Sequence, residues 1–169
     1  FFYDGLDRLD YSTRNTVTNF NINYSLNGNV TYRSDYYQGG SFSYSTRPHA
    51  VTSVSGSNGC LGWQEDFTYD ANGNQTSRYS SGGTGSTVTW YSYNLPNTIN
   101  LGASASQFFY TPNRARWKQV ANYGGATETT IYVGGILEKL TRDGVTEYRH
   151  RIPAGSSSTA VYVRRSSGS

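Results

Sequence analysis

Short stretches in which apolar and polar residues alternate run along this chain, broken by pairs of turn-forming residues. Phe67 and Tyr69 alternate with Thr68 and Asp70, so a strand there has one aromatic and one polar face. Asn27-Gly28 and Asn72-Gly73 tolerate positive φ and predict tight or bulged hairpin turns. A two-residue turn at Asp143-Gly144 sets Leu140 opposite Glu147, Lys139 opposite Tyr148, and Glu138 opposite Arg149, where unlike charges meet. The pattern predicts an all-β structure, a twisted and curved antiparallel sheet of successive hairpins.

A repeat organises these hairpins. Strong copies read Tyr3-Asp4-Gly5-Leu6-Asp7-Arg8-Leu9, Tyr24-Ser25-Leu26-Asn27-Gly28-Asn29-Val30 and Tyr69-Asp70-Ala71-Asn72-Gly73-Asn74-Gln75. Weaker copies begin at Tyr44, Tyr93, Tyr110, Tyr132 and Tyr148. Asp4 and Asp70 are suited to accept local backbone N–H bonds where their turns begin. Residues 1–165 read as one region, with a flexible loop near 80–87 (SSGGTGST), another at 155–158 and a frayed tail at 166–169.

Composition sharpens this picture. The 169 residues include 16 Tyr and 19 Gly but no Met, and Ser, Thr and Asn are abundant. Good helix formers are scarce, which argues against a helical bundle, a coiled coil and a parallel α/β fold. Without an initiator Met, the chain reads as a fragment of a larger protein. No apolar run of about 18 residues exists, so no membrane-spanning segment is expected. The single Cys60 excludes an internal disulfide framework and reads as a small apolar residue.

Charge is uneven. Residues 1–85 hold five Arg against seven carboxylates, and residues 86–169 hold nine Lys or Arg against four, which gives −2 and +5 within the net +3. On a regular strand Arg114, Arg116 and Lys118 share one solvated face, with Trp117 packed on the other. Polyanion binding is one reading of this stripe and an ordinary solvated face is the other. The basic density is too low to predict nucleic acid as a partner.

Candidate chemistry is sparse. His49 and His150 lack metal-ligand spacing. Adjacent Glu65 and Asp66 point to opposite faces of a strand and form no catalytic pair. Asp4, Asp7 and Asp10 could gather near one turn but lack the spacing of a calcium loop. No enzymatic activity, catalytic residue, cofactor or metal is expected. Trp63, Trp90 and Trp117 could stack on sugar rings, or glue successive hairpins together.

The phrases YDGLDRL, YSLNGNV and YDANGNQTSR resemble the tyrosine–aspartate (YD) repeats of rearrangement-hotspot (RHS) proteins, a family related to the animal teneurins. Ser43 to Val54 (SYSTRPHAVTSV) and Ile131 to Gly155 (IYVGGILEKLTRDGVTEYRHRIPAG) are similar to phrases of the same family. The resemblance implies a strip of antiparallel hairpins forming part of a hollow shell. Its partners are then the rest of the parent shell and an enclosed C-terminal toxin polypeptide, in a secreted or cell-surface bacterial protein. A carbohydrate-binding or adhesive β module, with a glycan as partner, is the alternative. This sequence departs from the family pattern at Asp7, which stands where many repeats have Gly. It departs again at Ser25, Thr111 and Val133, which replace the Asp and should keep the hairpin without the Asp turn bond.

Overall fold

The computed structural model describes residues 1–36, 39–57, 62–154 and 158–166. Cys60, residues 155–157 of the expected second loop and residues 167–169 of the expected tail lie outside them. The structure is all-β and antiparallel, with sixteen strands and no helix among the described residues. The region expected to be single packs as two compact units, residues 1–85 and 86–169, and the division falls in the glycine-rich segment. That segment is shorter than expected, because Ser80 ends one strand and Ser86 begins the next. Ser158 and Ser166, expected in a loop and a tail, are the ends of a strand.

The first unit contains β1 (Phe2–Tyr3), β2 (Leu9–Arg14), β3 (Val17–Tyr24), β4 (Val30–Arg33), β5 (Gly40–Tyr44), β6 (Val51–Ser57), β7 (Gly62–Tyr69) and β8 (Gln75–Ser80). The second contains β9 (Ser86–Trp90), β10 (Pro96–Leu101), β11 (Ser104–Tyr110), β12 (Arg116–Tyr123), β13 (Ala126–Val133), β14 (Leu137–Arg142), β15 (Val145–Ala154) and β16 (Ser158–Ser166). Within each unit every strand pairs with its neighbour in sequence, so all connections are of the hairpin type.

One local device recurs in both units. An aromatic residue ends the first strand of a hairpin and pairs with the first residue of the next: Tyr3 with Leu9, Tyr24 with Val30, Tyr44 with Val51 and Tyr69 with Gln75. Trp90 with Pro96 and Tyr110 with Arg116 repeat it in the second unit. The following pair always skips one residue on the second strand: Asp10, Thr31, Thr52, Thr76, Asn97 or Trp117. Each skip is a β-bulge, which bends the strand and strengthens its twist.

Five of these hairpins share one turn. The residue after the aromatic donates its N–H to the carbonyl four positions on, and its own carbonyl accepts the N–H from three positions on. The pairs are Asp4 with Arg8 and Asp7, Ser25 with Asn29 and Gly28, Asp70 with Asn74 and Gly73, Tyr91 with Leu95 and Asn94, and Thr111 with Ala115 and Arg114. The fourth residue always takes positive φ: 58° at Asp7, 84° at Gly28, 90° at Gly73, 60° at Asn94 and 66° at Arg114. Asp143 and Gly144 form the expected two-residue turn with φ of 50° and 77°, and Glu138 pairs with Arg149 as the spacing predicts. Three of the weaker repeat copies differ from the expected placement. Tyr93 lies inside a turn that Trp90 introduces, Tyr132 precedes the last residue of β13, and Tyr148 sits within β15.

Apolar burial is thin. Ile22 and Val54 are buried in the first unit, and Phe108 and Ala121 in the second. Most other strand residues are half-buried, so the ladders and the contacts between side chains on one face supply much of the cohesion. One close approach needs a glycine: a Cβ on Gly56 would lie 2.3 Å from the Gly39 carbonyl oxygen and 2.7 Å from the Trp63 ring.

The turn geometry gives a pair of opposite expectations. Gly73 has open space around it, so Gly73→Val costs only backbone strain, about 1–3 kcal/mol. Asp7→Gly relieves strain at the equivalent position and raises stability by up to about 1 kcal/mol. Urea midpoints that move in opposite directions are the expected result.

Candidate functional site: turn staples and the faces of the second unit

Asp4 and Asp70 perform the same task. One carboxylate oxygen of Asp4 accepts the N–H groups of Leu6 (2.9 Å) and Arg8 (3.0 Å), and the other meets the Arg8 guanidinium at 2.6 Å. Asp70 accepts the N–H groups of Asn72 and Asn74 at 2.9 Å, and the Asn74 amide donates to its other oxygen at 2.9 Å. The Arg8 bond holds Asp4 below the usual carboxylate range, and the Asn74 side chain does the same for Asp70. Where a hydroxyl replaces the carboxylate, the bond reverses. Ser25 and Thr111 donate to the carbonyls of Asn29 (3.3 Å) and Ala115 (3.0 Å).

The repeat tyrosines fasten one hairpin to the one before it. The Tyr24 hydroxyl donates to the Leu9 carbonyl at 3.0 Å, Tyr44 to Val30 at 2.8 Å, and Tyr69 to Val51 at 2.8 Å. Each acceptor is the residue paired with the preceding repeat tyrosine. The Arg8 guanidinium lies 4.3 Å from the centre of the Tyr24 ring, which joins the first turn to the second. Burial raises the hydroxyls of Tyr44 and Tyr69 above the ordinary tyrosine range, so both remain donors at neutral pH.

Two buried carboxylates went unnoticed as partners in the sequence. Glu65, 4% exposed, accepts bonds from Arg78 at 2.6 Å, Tyr36 at 3.0 Å and Ser80 at 3.3 Å. Burial alone would raise its pKa, but the Arg78 and Tyr36 bonds outweigh it and hold the carboxyl below its usual range. Glu147 bridges Arg149 at 2.5 Å and Arg165 at 2.7 Å, and these bonds, Arg149 first, lower it as well. Glu138 stands opposite Arg149 in the ladder but forms its ion pair diagonally, with Arg151 at 2.5 Å.

The basic stripe is a correction. Arg114 lies in the turn before β12, at the left-handed position, and not on a strand. The bulge at Trp117 then breaks the alternation on which the stripe depended. Phe108 and Phe109 are consecutive on β11 and face opposite ways. Arg116 lies over Phe108 (5.6 Å) and Tyr132 (4.7 Å), whereas Lys118 lies over Phe109 (5.0 Å), so the two cations occupy opposite faces. Trp117 joins Lys118 and Phe109, with ring centres 6.2 Å apart at Phe109, and is 40% exposed rather than packed away.

The other tryptophans are half-buried. Trp63 packs against Tyr36 with ring centres 5.8 Å apart and against Gly56, and Trp90 takes the place of a repeat tyrosine. His49 pairs with the buried Asn29 at 2.7 Å, and His150 lies against Tyr162 with ring centres 6.1 Å apart. Asp66 accepts a bond from Gln64 at 2.7 Å. Among the described residues no group of three or more His, Cys, Asp or Glu is placed to hold a metal.

No family model matches the chain, and no curated protein matches it. A solved structure titled "Crystal Structure of TcdB2-TccC3-Cdc42" is similar to it, with a TM-score of 0.43 and 11% identity over 90% of this chain. The present chain spans 12% of that chain's length.

Two outcomes follow from the staples and the buried acid. Tyr24→Phe, Tyr44→Phe and Tyr69→Phe each keep the ring and lose one bond, so each should cost about 1 kcal/mol by urea denaturation. Because the folded pKa of Glu65 is depressed, its stabilisation is present above the ordinary glutamate range and is lost as pH falls through the lowered value. Glu65→Gln should cost about 1–3 kcal/mol at neutral pH and flatten the acid limb of the stability profile.

Proposed function

We propose that this chain is a structural segment of an RHS/YD-type β wall that encloses a C-terminal toxin or cargo polypeptide within a larger secreted bacterial protein. The observation that supports this reading is the stapled repeat. Turn carboxylates, repeat hydroxyls and the buried Glu65 are all committed to holding one hairpin to itself or to a neighbour. Such a design suits a surface that must extend by adding equal units and withstand being left one sheet thick. The wall works mechanically: closely spaced backbone bonds exclude proteases and other proteins from what lies behind them.

The test is protease protection in the parent protein. The polypeptide encoded downstream should resist digestion within the intact parent and be cleaved rapidly when expressed alone. The combined Tyr24→Phe, Tyr44→Phe and Tyr69→Phe variant should lose protection at a lower urea concentration. Digestion at the same rate in both settings would refute the wall. A carbohydrate-binding role has one supporting observation, the exposed Trp117 beside Phe109 and Lys118. Glycan-array binding by the chain that Trp117→Ala abolishes, without protease protection, would put that role in its place.

A further inference from the structure

We propose that one face of the second unit docks on an anionic lipid surface, tilted so that its β13–β14 end lies deepest.

The two faces of this unit arrange charge differently: one carries five arginines, Arg116, Arg142, Arg149, Arg151 and Arg165, against three glutamates, and the other carries three cations. Its strand carboxylates Glu128, Glu138 and Glu147 all lie on one face, where Glu138 and Glu147 are paired with arginines. Strand pairing fixes the opposite face. Phe109, Lys118, Ile131, Lys139, Tyr148 and Arg164 form one row straight across β11 to β16. Cations alternate with apolar or aromatic residues in that row and stand about 10 Å apart, two strand spacings. Among the described residues no strand carboxylate of this unit shares the face with Lys118, Lys139 and Arg164.

Rows on this face are graded along the strand direction, each about 7 Å from the next. Toward the β13–β14 turn lies a row that is apolar or aromatic except for His150, namely Val133, Leu137, His150 and Tyr162. Trp117 and the turn residue Ile136 extend this end. Val133, Ile136, Tyr162 and Trp117 are 49%, 59%, 58% and 40% exposed, so this end of the face carries bare apolar surface. The cation row comes next. Beyond it lie uncharged and mostly polar residues, with Gln107, Val120, Thr129, Thr141, Thr146 and Ser166 in one row and Asn100, Ala105, Asn122 and Thr127 in another.

The order apolar, cationic, neutral polar matches the depth profile of an anionic bilayer: acyl boundary, headgroup phosphates, water. Trp and Tyr favour the boundary layer, and lysines at headgroup level gain about 1 kcal/mol each from anionic lipid. A soluble polyanion would be satisfied by the cation row alone and would leave the apolar end bare. The exposed apolar end is what favours lipid.

The experiment is flotation of the full chain with vesicles at physiological salt. The chain should float with equimolar phosphatidylcholine and phosphatidylserine and stay behind with phosphatidylcholine alone. Lys118→Gln with Lys139→Gln should weaken vesicle binding about ten- to thirtyfold. Arg14→Gln with Arg142→Gln removes the same charge elsewhere and should leave binding within about twofold. Trp117→Ala with Ile136→Ser should weaken binding at unchanged charge, while retention on soluble polyglutamate stays the same. Melting curves accompany each variant, and the comparison uses those that stay folded. Four results each overturn the proposal: no flotation with phosphatidylserine, equal flotation with phosphatidylcholine alone, equal losses from the two charge pairs, or unaltered flotation of Trp117→Ala with Ile136→Ser.

Discussion

A left-handed residue at the fourth position of a five-residue turn sets the course of the chain at five of its hairpins. With that residue in place, the turn closes by two backbone bonds and an aromatic residue is left opposite the first residue of the returning strand. One residue of that strand then has no partner and bulges. Because a single-residue offset exchanges the two faces of a strand, the bulge decides which side chains meet. The encounter of Arg116 with Phe108 and of Lys118 with Phe109 is a direct result.

With so little apolar surface buried, the sheet must be held together in its own plane. Hydroxyl ladders such as Thr89 with Thr98 at 2.6 Å, cations over rings, and the staples all act between near neighbours. These contributions are individually small, so cohesion is spread evenly rather than concentrated in a core. Glu65 is the local exception. It is buried beside Val54's strand, and Arg78 and Tyr36 compensate its loss of solvent.

Much of this was legible in the residues, and the failures have specific causes. Asn27-Gly28, Asn72-Gly73 and Asp143-Gly144 announce their turns because those residue types adopt positive φ readily. Asp7, Asn94 and Arg114 take the same conformation without a glycine, so the turn after Trp90 was assigned to Tyr93 instead. Trp117 stands on the side opposite to the one alternation predicts because alternation assumes an unbroken strand, and five of the six bulged positions are polar while this one is not. The hydrogen-bond role of Asp70 could be read locally. The partners of Glu65 lie 13, 15 and 29 residues away, and no local pattern announces them.

The staples also have a direction. Every acceptor lies N-terminal to its tyrosine, 14 to 18 residues earlier, and belongs to a hairpin already complete when that tyrosine is reached. Loops of this length close in well under a microsecond, far faster than a ribosome adds a residue. Each of these three tyrosines therefore meets a finished template and locks onto it. As the first unit emerges from a ribosome, or from a narrow export pore, its hairpins can be fastened in the order in which they appear, without waiting for the C-terminal end.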